Sequence, residues 1–86
     1  MYRAELSNLA AKELQQIYTA DNKIYYRVIA VIESLRGNPY QGKKLKGKLK
    51  GDYSVRVGDY RVVYSVQRAK LIIHVIDIGH RREIYR

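Results

Sequence analysis

The segment Gly79-His80-Arg81-Arg82-Glu83-Ile84-Tyr85-Arg86 follows directly on the apolar run Leu71-Ile72-Ile73-His74-Val75-Ile76-Asp77-Ile78. A buried strand therefore delivers one imidazole, three guanidiniums and one phenol to a single edge of a small protein. Guanidinium pairs with phosphate bidentately and stays charged at any working pH. Imidazole titrates close to neutrality. More arginine arrives from elsewhere in the chain. Gly58-Asp59 is a two-residue hairpin signal that sets Val57 opposite Tyr60, Arg56 opposite Arg61 and Val55 opposite Val62. Like charges so placed destabilise a sheet by a few tenths to about 1 kcal/mol, a cost more easily borne if an anion fills the gap. The bland alternative is a frayed basic terminus, with each arginine stacked on a tyrosine or paired with Asp52, Asp59 or Glu83.

An RNA phosphodiester suits this set of groups, because it carries its own nucleophile in the 2′-hydroxyl. Cleavage then needs a base, cations to stabilise the charged phosphorane, and an acid for the departing 5′-oxygen. Preorganised cations supply several kcal/mol, and positioned acid–base groups typically add about 10²–10⁴-fold. Arg56, Arg61, Arg81, His80 and Tyr85 meet that list without a cofactor. Neighbouring arginines favour a neutral His80, which suits a base. Tyr85 is placed to stack on a nucleobase or to donate a proton. His74, inside the last strand, reads as structural. DNA lacks the 2′-hydroxyl and is not cut this way.

The elements that must position these groups are legible in outline. Residues 1–6 are a short extended segment. Ser7 is an N-cap, and Leu6, Leu9, Ala10, Leu14, Ile17 and Tyr18 recur at helical spacing, predicting a helix over 7–19. Asp21 caps a second helix, whose stripe Ile24, Val28, Val31, Ile32, Leu35 runs to about residue 36. Gly37-Asn38-Pro39 stops it, with glycine suited to the C′ position. Residues 37–52 read as a basic loop, punctuated by Gly42, Gly47 and Gly51, with Leu45 and Leu49 pinning it to the body. Its cations Lys43, Lys44, Lys46, Lys48 and Lys50, with Arg82 of the tail, are candidates for RNA contact, since each neutralised phosphate releases counterions. Three strands follow: 53–57, 60–66 and 70–78. Side chains alternate faces, so Tyr53, Val55, Val57, Tyr60, Val62 and Tyr64 face the helices, and Ser54, Arg56, Arg61, Val63 and Ser65 face away.

Eighty-six residues make one domain with a core of little margin. Hydrophobic residues are 47% and charged residues 29%, which is globular rather than disordered. Without cysteine there are no disulfides or thiolate–metal sites. The spacing of histidines and acids offers no metal site, and no glycine pattern forms a nucleotide loop. No apolar run is long enough to span a membrane and no signal-peptide core stands at the N-terminus, so a cytoplasmic protein is expected. The net charge is +9, of which +8 falls in residues 37–86. Charge so one-sided points to a polyanion: nucleic acid, an acidic protein, or both.

Taken in order, Leu45-Lys46-Gly47, Gly51-Asp52-Tyr53-Ser54-Val55-Arg56-Val57, Gly58-Asp59-Tyr60-Arg61-Val62-Val63-Tyr64 and Ile78-Gly79-His80-Arg81-Arg82-Glu83-Ile84-Tyr85 resemble the RelE/ParE toxin superfamily of toxin–antitoxin systems. The resemblance spans nearly the whole chain and implies a single RelE-like toxin domain over 1–86. It implies an α+β, microbial-RNase-like fold, with two N-terminal helices packed on a twisted antiparallel sheet. RelE-like members cut messenger RNA in the ribosomal A site without a metal. Arg61 and Arg81 then match arginines that stabilise the scissile phosphate, Arg56 takes the place of a basic residue in the preceding strand, and Tyr85 resembles a terminal tyrosine that stacks on RNA or assists proton transfer. Ser54 stands where well-studied RelE-like members carry a lysine often credited as the base. Serine cannot fill that role at neutral pH, so either His80 takes it or cleavage is slow. The implied partners are a cognate acidic, RelB-like antitoxin in a hetero-oligomer, the ribosome and its mRNA.

Two other functions remain open on these residues. ParE relatives share the fold and poison DNA gyrase without cutting RNA. A plain nucleic-acid-binding module would bind many sequences in a salt-sensitive way and cut none.

Overall fold

The computed structural model describes residues 1–46 and 51–80. Strand β1 (Arg3–Leu6) leads into helices α1 (Asn8–Ala20) and α2 (Asn22–Gly37). Ser7 caps α1, its Oγ accepting from the Ala10 N–H at 3.0 Å. Asp21, the single residue between the helices, serves both. Its N–H closes α1 on the Ile17 carbonyl at 2.8 Å, and its Oδ1 accepts from the N–H groups of Lys23 and Ile24 at 3.2 and 3.3 Å. A side-chain cap of this kind is worth about 1 kcal/mol. Both helices lie where their apolar stripes predict. Gly37 differs from expectation: it remains helical, with no positive φ. Asn38 ends the helix at φ −144°, because a residue before proline is kept out of the α region.

Four further strands are β2 (Lys43–Lys44), β3 (Tyr53–Val57), β4 (Tyr60–Gln67) and β5 (Ile72–His80), with a 3-10 turn at Arg68–Lys70 before β5. Their order across the sheet is β1-β5-β4-β3-β2. The pairs β3–β4 and β4–β5 are antiparallel, as expected, and β2–β3 is antiparallel as well. β1 runs parallel to β5, so the sheet is mixed at one edge. A parallel pair needs a long crossover rather than a hairpin, so no turn motif marks it in the sequence. β2 replaces the expected start of the basic loop: ladder bonds use backbone groups, which lysines supply as well as any residue. A short lysine edge also resists pairing with other chains.

One layer of apolar side chains joins helices to sheet. Ala10, Leu14 and Ile17 of α1 and Val28, Ile32 and Leu35 of α2 pack with Val57, Val62, Tyr64, Ile73, Val75 and Ile78. Full burial of such a side chain is worth roughly 1.5–3 kcal/mol. No helix among the described residues is long and apolar enough to cross a membrane.

On β5 the core residues are spaced by two and then by three. Val63 pairs with Asp77 but Tyr64 pairs with Val75, which leaves Ile76 as the extra residue of a β-bulge. Ser7 grips this bulge. Its N–H donates to the Val75 carbonyl at 2.9 Å, and its Oγ donates to the Ile76 carbonyl at 2.6 Å. One serine therefore starts α1 and fixes the phase of the central strand.

Candidate active site

The sheet face away from the helices is built in rows. Arg56, Arg61 and Gly79 are in register across β3, β4 and β5. The next row is Lys43, Ser54, Val63 and Asp77. Beyond it Ser65, His74 and Glu5 align across β4, β5 and β1. The paired arginines predicted from the Gly58-Asp59 turn are present. Gly58 takes φ +60° while Asp59 does not go positive, which is the pattern of a type II′ rather than a type I′ hairpin.

The two arginines avoid a direct clash of charge. Arg56 is exposed and its Nε donates to the Gly58 carbonyl at 3.0 Å, which draws its guanidinium towards the turn. Arg61 is half-buried with its Nε inaccessible to solvent. It faces Gly79, which is itself buried and brings no side chain against the guanidinium. Ser54 is 2% exposed and Val63 is also 2% exposed, so the floor of this face is closed.

His80 is not part of this face. It pairs with Tyr60, whose side chain packs against the helix-side core. Its ring meets Tyr60 edge-on at 5.6 Å and 74°. With Glu13, Gln16, Ile17 and Ala20 the two rings line an open cleft of about 260 Å³. The bulge at Ile76 is the cause: it inverts the alternation, so Asp77 and Gly79 turn towards the arginines while Ile78 and His80 turn towards the helices. The expectation that His80 joins Arg56 and Arg61 as their base is corrected accordingly.

Among the lysines, Lys43 shares a row with Ser54 on the arginine face, whereas Lys44 pairs with Tyr53 and belongs to the other side. Lys46 is exposed beyond β2. Lys48, Lys50, Leu49, Arg81, Arg82 and Tyr85 lie outside the described residues. Leu45 is only half-buried; the firmer anchor of the basic segment is Tyr64. Its buried hydroxyl donates to the Pro39 carbonyl at 2.8 Å and accepts from the Gly42 N–H at 3.1 Å. A Cβ on Gly42 would stand 2.5 Å from that hydroxyl and 2.9 Å from the Ser54 carbonyl, so this approach requires glycine. Tyr53 stacks on Tyr64 at 5.6 Å, and Tyr40 meets Tyr53 edge-on at 5.8 Å. Burial pushes the Tyr64 phenol above its ordinary pKa, the Gly42 hydrogen bond opposes this, and Tyr53 adds to it.

Asp77 is the residue of this face that reading the sequence did not single out. The available signal was a carboxylate between two isoleucines in an otherwise apolar strand. Its face depends on the bulge, which has no signature in that run.

A second concavity lies on the helix side. Leu6, Asn8, Ala11, Lys12, Leu14, Gln15, Tyr18 and Tyr25 line an open groove of about 570 Å³.

The family model for the ParE toxin of the type II toxin–antitoxin system parDE matches residues 4–85. The chain is 34% identical to Toxin RelE of Mycobacterium tuberculosis (strain ATCC 25618 / H37Rv), covering 99% of this chain and 87% of that protein. Its fold matches the archaeal RelE–RelB complex from Pyrococcus horikoshii OT3, with a TM-score of 0.78, 28% identity, and coverage of 93% of this chain and 94% of that one. It also matches the YoeB/ParE toxin from Agrobacterium tumefaciens, with a TM-score of 0.83, 19% identity, and coverage of 91% and 96%. With the family model matching nearly end to end and a full-length relative at this identity, the chain belongs to the RelE/ParE superfamily of toxins of type II toxin–antitoxin systems.

Proposed function

We propose that this toxin is a ribosome-dependent mRNA endonuclease that cuts by attack of the RNA 2′-hydroxyl and so inhibits translation. The observation that carries the reading is the row Arg56–Arg61–Gly79, two guanidiniums beside a position without a side chain on the sheet face away from the helices. That arrangement suits a phosphate between cations. Arg61 would stabilise the phosphorane, Arg56 and Lys43 would hold the backbone, and Lys46, Lys48, Lys50 and Arg82 would extend the basic track, without Lys44, which belongs to the other side. Arg81 as a second phosphorane donor and Tyr85 as stacking group or acid complete the assignment on the strength of the family resemblance. The partner is an acidic antitoxin in a hetero-oligomer, as in the RelE–RelB complex of the archaeal relative, with a net charge of +9 to neutralise.

Primer extension on a defined message tests this directly, in a purified translation system with and without stalled ribosomes. Cuts at A-site positions that require ribosomes are the expected result. Intact message with translation unaffected would remove the nuclease reading. A specific observation favours one alternative, inhibition of DNA gyrase: the family model is that of ParE, and His80 is turned from the arginine face. Loss of supercoiling activity with intact mRNA would establish it.

A further inference from the structure

A nuclease built on Arg61 needs a base on the same face, and the residues first in line do not qualify. Ser54 is a hydroxyl at neutral pH. His80 packs against Tyr60 on the far side of the sheet. His74 shares the open face, but it lies in the row of Ser65, four residues along from Arg61 and so roughly 13 Å away at strand spacing. Glu5 is one strand further still and is paired with Arg3 at 3.1 Å. Asp59 is exposed in the hairpin turn, outside the paired rows of this face.

Asp77 differs from all of these. The bulge at Ile76 turns it onto the arginine face, opposite Val63 and diagonal to Arg61. Diagonal neighbours stand about 7–8 Å apart between backbones, within reach of a long side chain. Gly79, two residues along the same strand, puts no side chain between Asp77 and Arg61. Asp77 is half-buried in β5, where it pairs with Val63 of β4. Among the described residues its carboxylate takes part in no ion pair or hydrogen bond, in a chain of net charge +9.

We propose that Asp77 is the general base of the cleavage step, an assignment that rests on the endonuclease reading above. The Asp77 carboxylate takes the proton of the RNA 2′-hydroxyl. The 2′-oxygen forms a bond to phosphorus, the bond from phosphorus to the 5′-oxygen breaks, and that oxygen leaves as a hydroxyl with a proton taken from water. The products are a 2′,3′-cyclic phosphate and a 5′-hydroxyl end, with no change of oxidation state.

The test is single-turnover cleavage of an A-site codon on purified ribosomes by wild type, Asp77→Asn, Asp77→Glu and Asp59→Asn. Ribosome affinity and thermal midpoint are measured for each. Asp77→Asn is expected to cut about 10²–10⁴-fold more slowly with affinity and midpoint unchanged, Asp77→Glu to keep part of the rate, and Asp59→Asn to match wild type. Should Asp77→Asn fold poorly, Asp77→Ser supplies the same comparison. A folded Asp77→Asn or Asp77→Ser protein that cuts as fast as wild type, or that loses only affinity, overturns the assignment while leaving the endonuclease standing. A wild type that does not cut removes the endonuclease and this assignment together.

Discussion

The two faces of the sheet are made from the same strands and do different work. The helix-side face is a continuous apolar layer in which Val57, Val62, Tyr64, Ile73, Val75 and Ile78 meet both helices. The opposite face carries Lys43, Arg56, Arg61 and Asp77 over a closed floor of Ser54 and Val63. The main hydrophobic core therefore lies on one side and a cluster of charged groups on the other. The bulge at Ile76 is the exception that belongs to both. It lets β5 keep Ile73, Val75 and Ile78 in the core while exchanging which polar residues look outward.

The comparison breaks if a core change is silent or an open-face change unfolds the protein. The largest expected effect is on the helix side. Ile78→Ala should destabilise by about 2–5 kcal/mol, a large fraction of a small domain's stability, and be seen as a lowered urea midpoint with loss of toxicity. On the open face, Arg61→Ala should cost about 2–4 kcal/mol of transition-state stabilisation and abolish growth arrest while the thermal midpoint stays near that of wild type. A folded and equally toxic Arg61→Ala protein would overturn the functional assignment of that face. Ser7→Ala tests the hinge between the faces. It removes the cap of α1 and the bond to the Ile76 carbonyl, for about 1–2 kcal/mol, with faster amide exchange around residues 75–77 as the local readout.

A smaller effect comes from Tyr64. Its phenol pKa is raised by burial above the ordinary 10.0, so the folded state holds the proton more tightly than the unfolded chain. The resulting stability is fully present below the ordinary value and is lost as pH rises through the folded one. Thermal midpoints measured into alkaline pH should fall there in wild type and fall less in Tyr64→Phe. Leu71 lies outside the comparison and serves as its control. It is half exposed at φ 55°, and relief of that left-handed strain by Leu71→Asn should raise stability by about 0.5–1 kcal/mol without touching activity.

Much of this organisation can be read from the chain. The helical stripes and the capping roles of Ser7 and Asp21 follow from local periodicity and side-chain chemistry. The Gly58-Asp59 turn sets the Arg56–Arg61 register through geometry confined to a few residues. What could not be read depends on contacts far apart in sequence. The parallel pairing of Arg3–Leu6 with β5 has no turn to announce it. Lys43 and Lys44 form a strand only because β3 offers them an edge. The phase of β5 is silent because a run of isoleucine and valine broken only by His74 and Asp77 reads the same with or without a bulge, and the sides taken by Asp77 and His80 hang on that phase.

The position of β5 has a consequence for how the chain is made. It is the last described element to be synthesised, and it lies between β1 and β4. Until residues 72–75 emerge, β1 has no partner in the sheet and β4 presents an open edge. Contacts that join the two ends of a chain raise contact order and slow folding. A growing chain thus carries its arginines long before it has a surface to mount them on. Arg61 meets Gly79 only when synthesis has passed the final strand, so premature termination yields fragments without the arginine row.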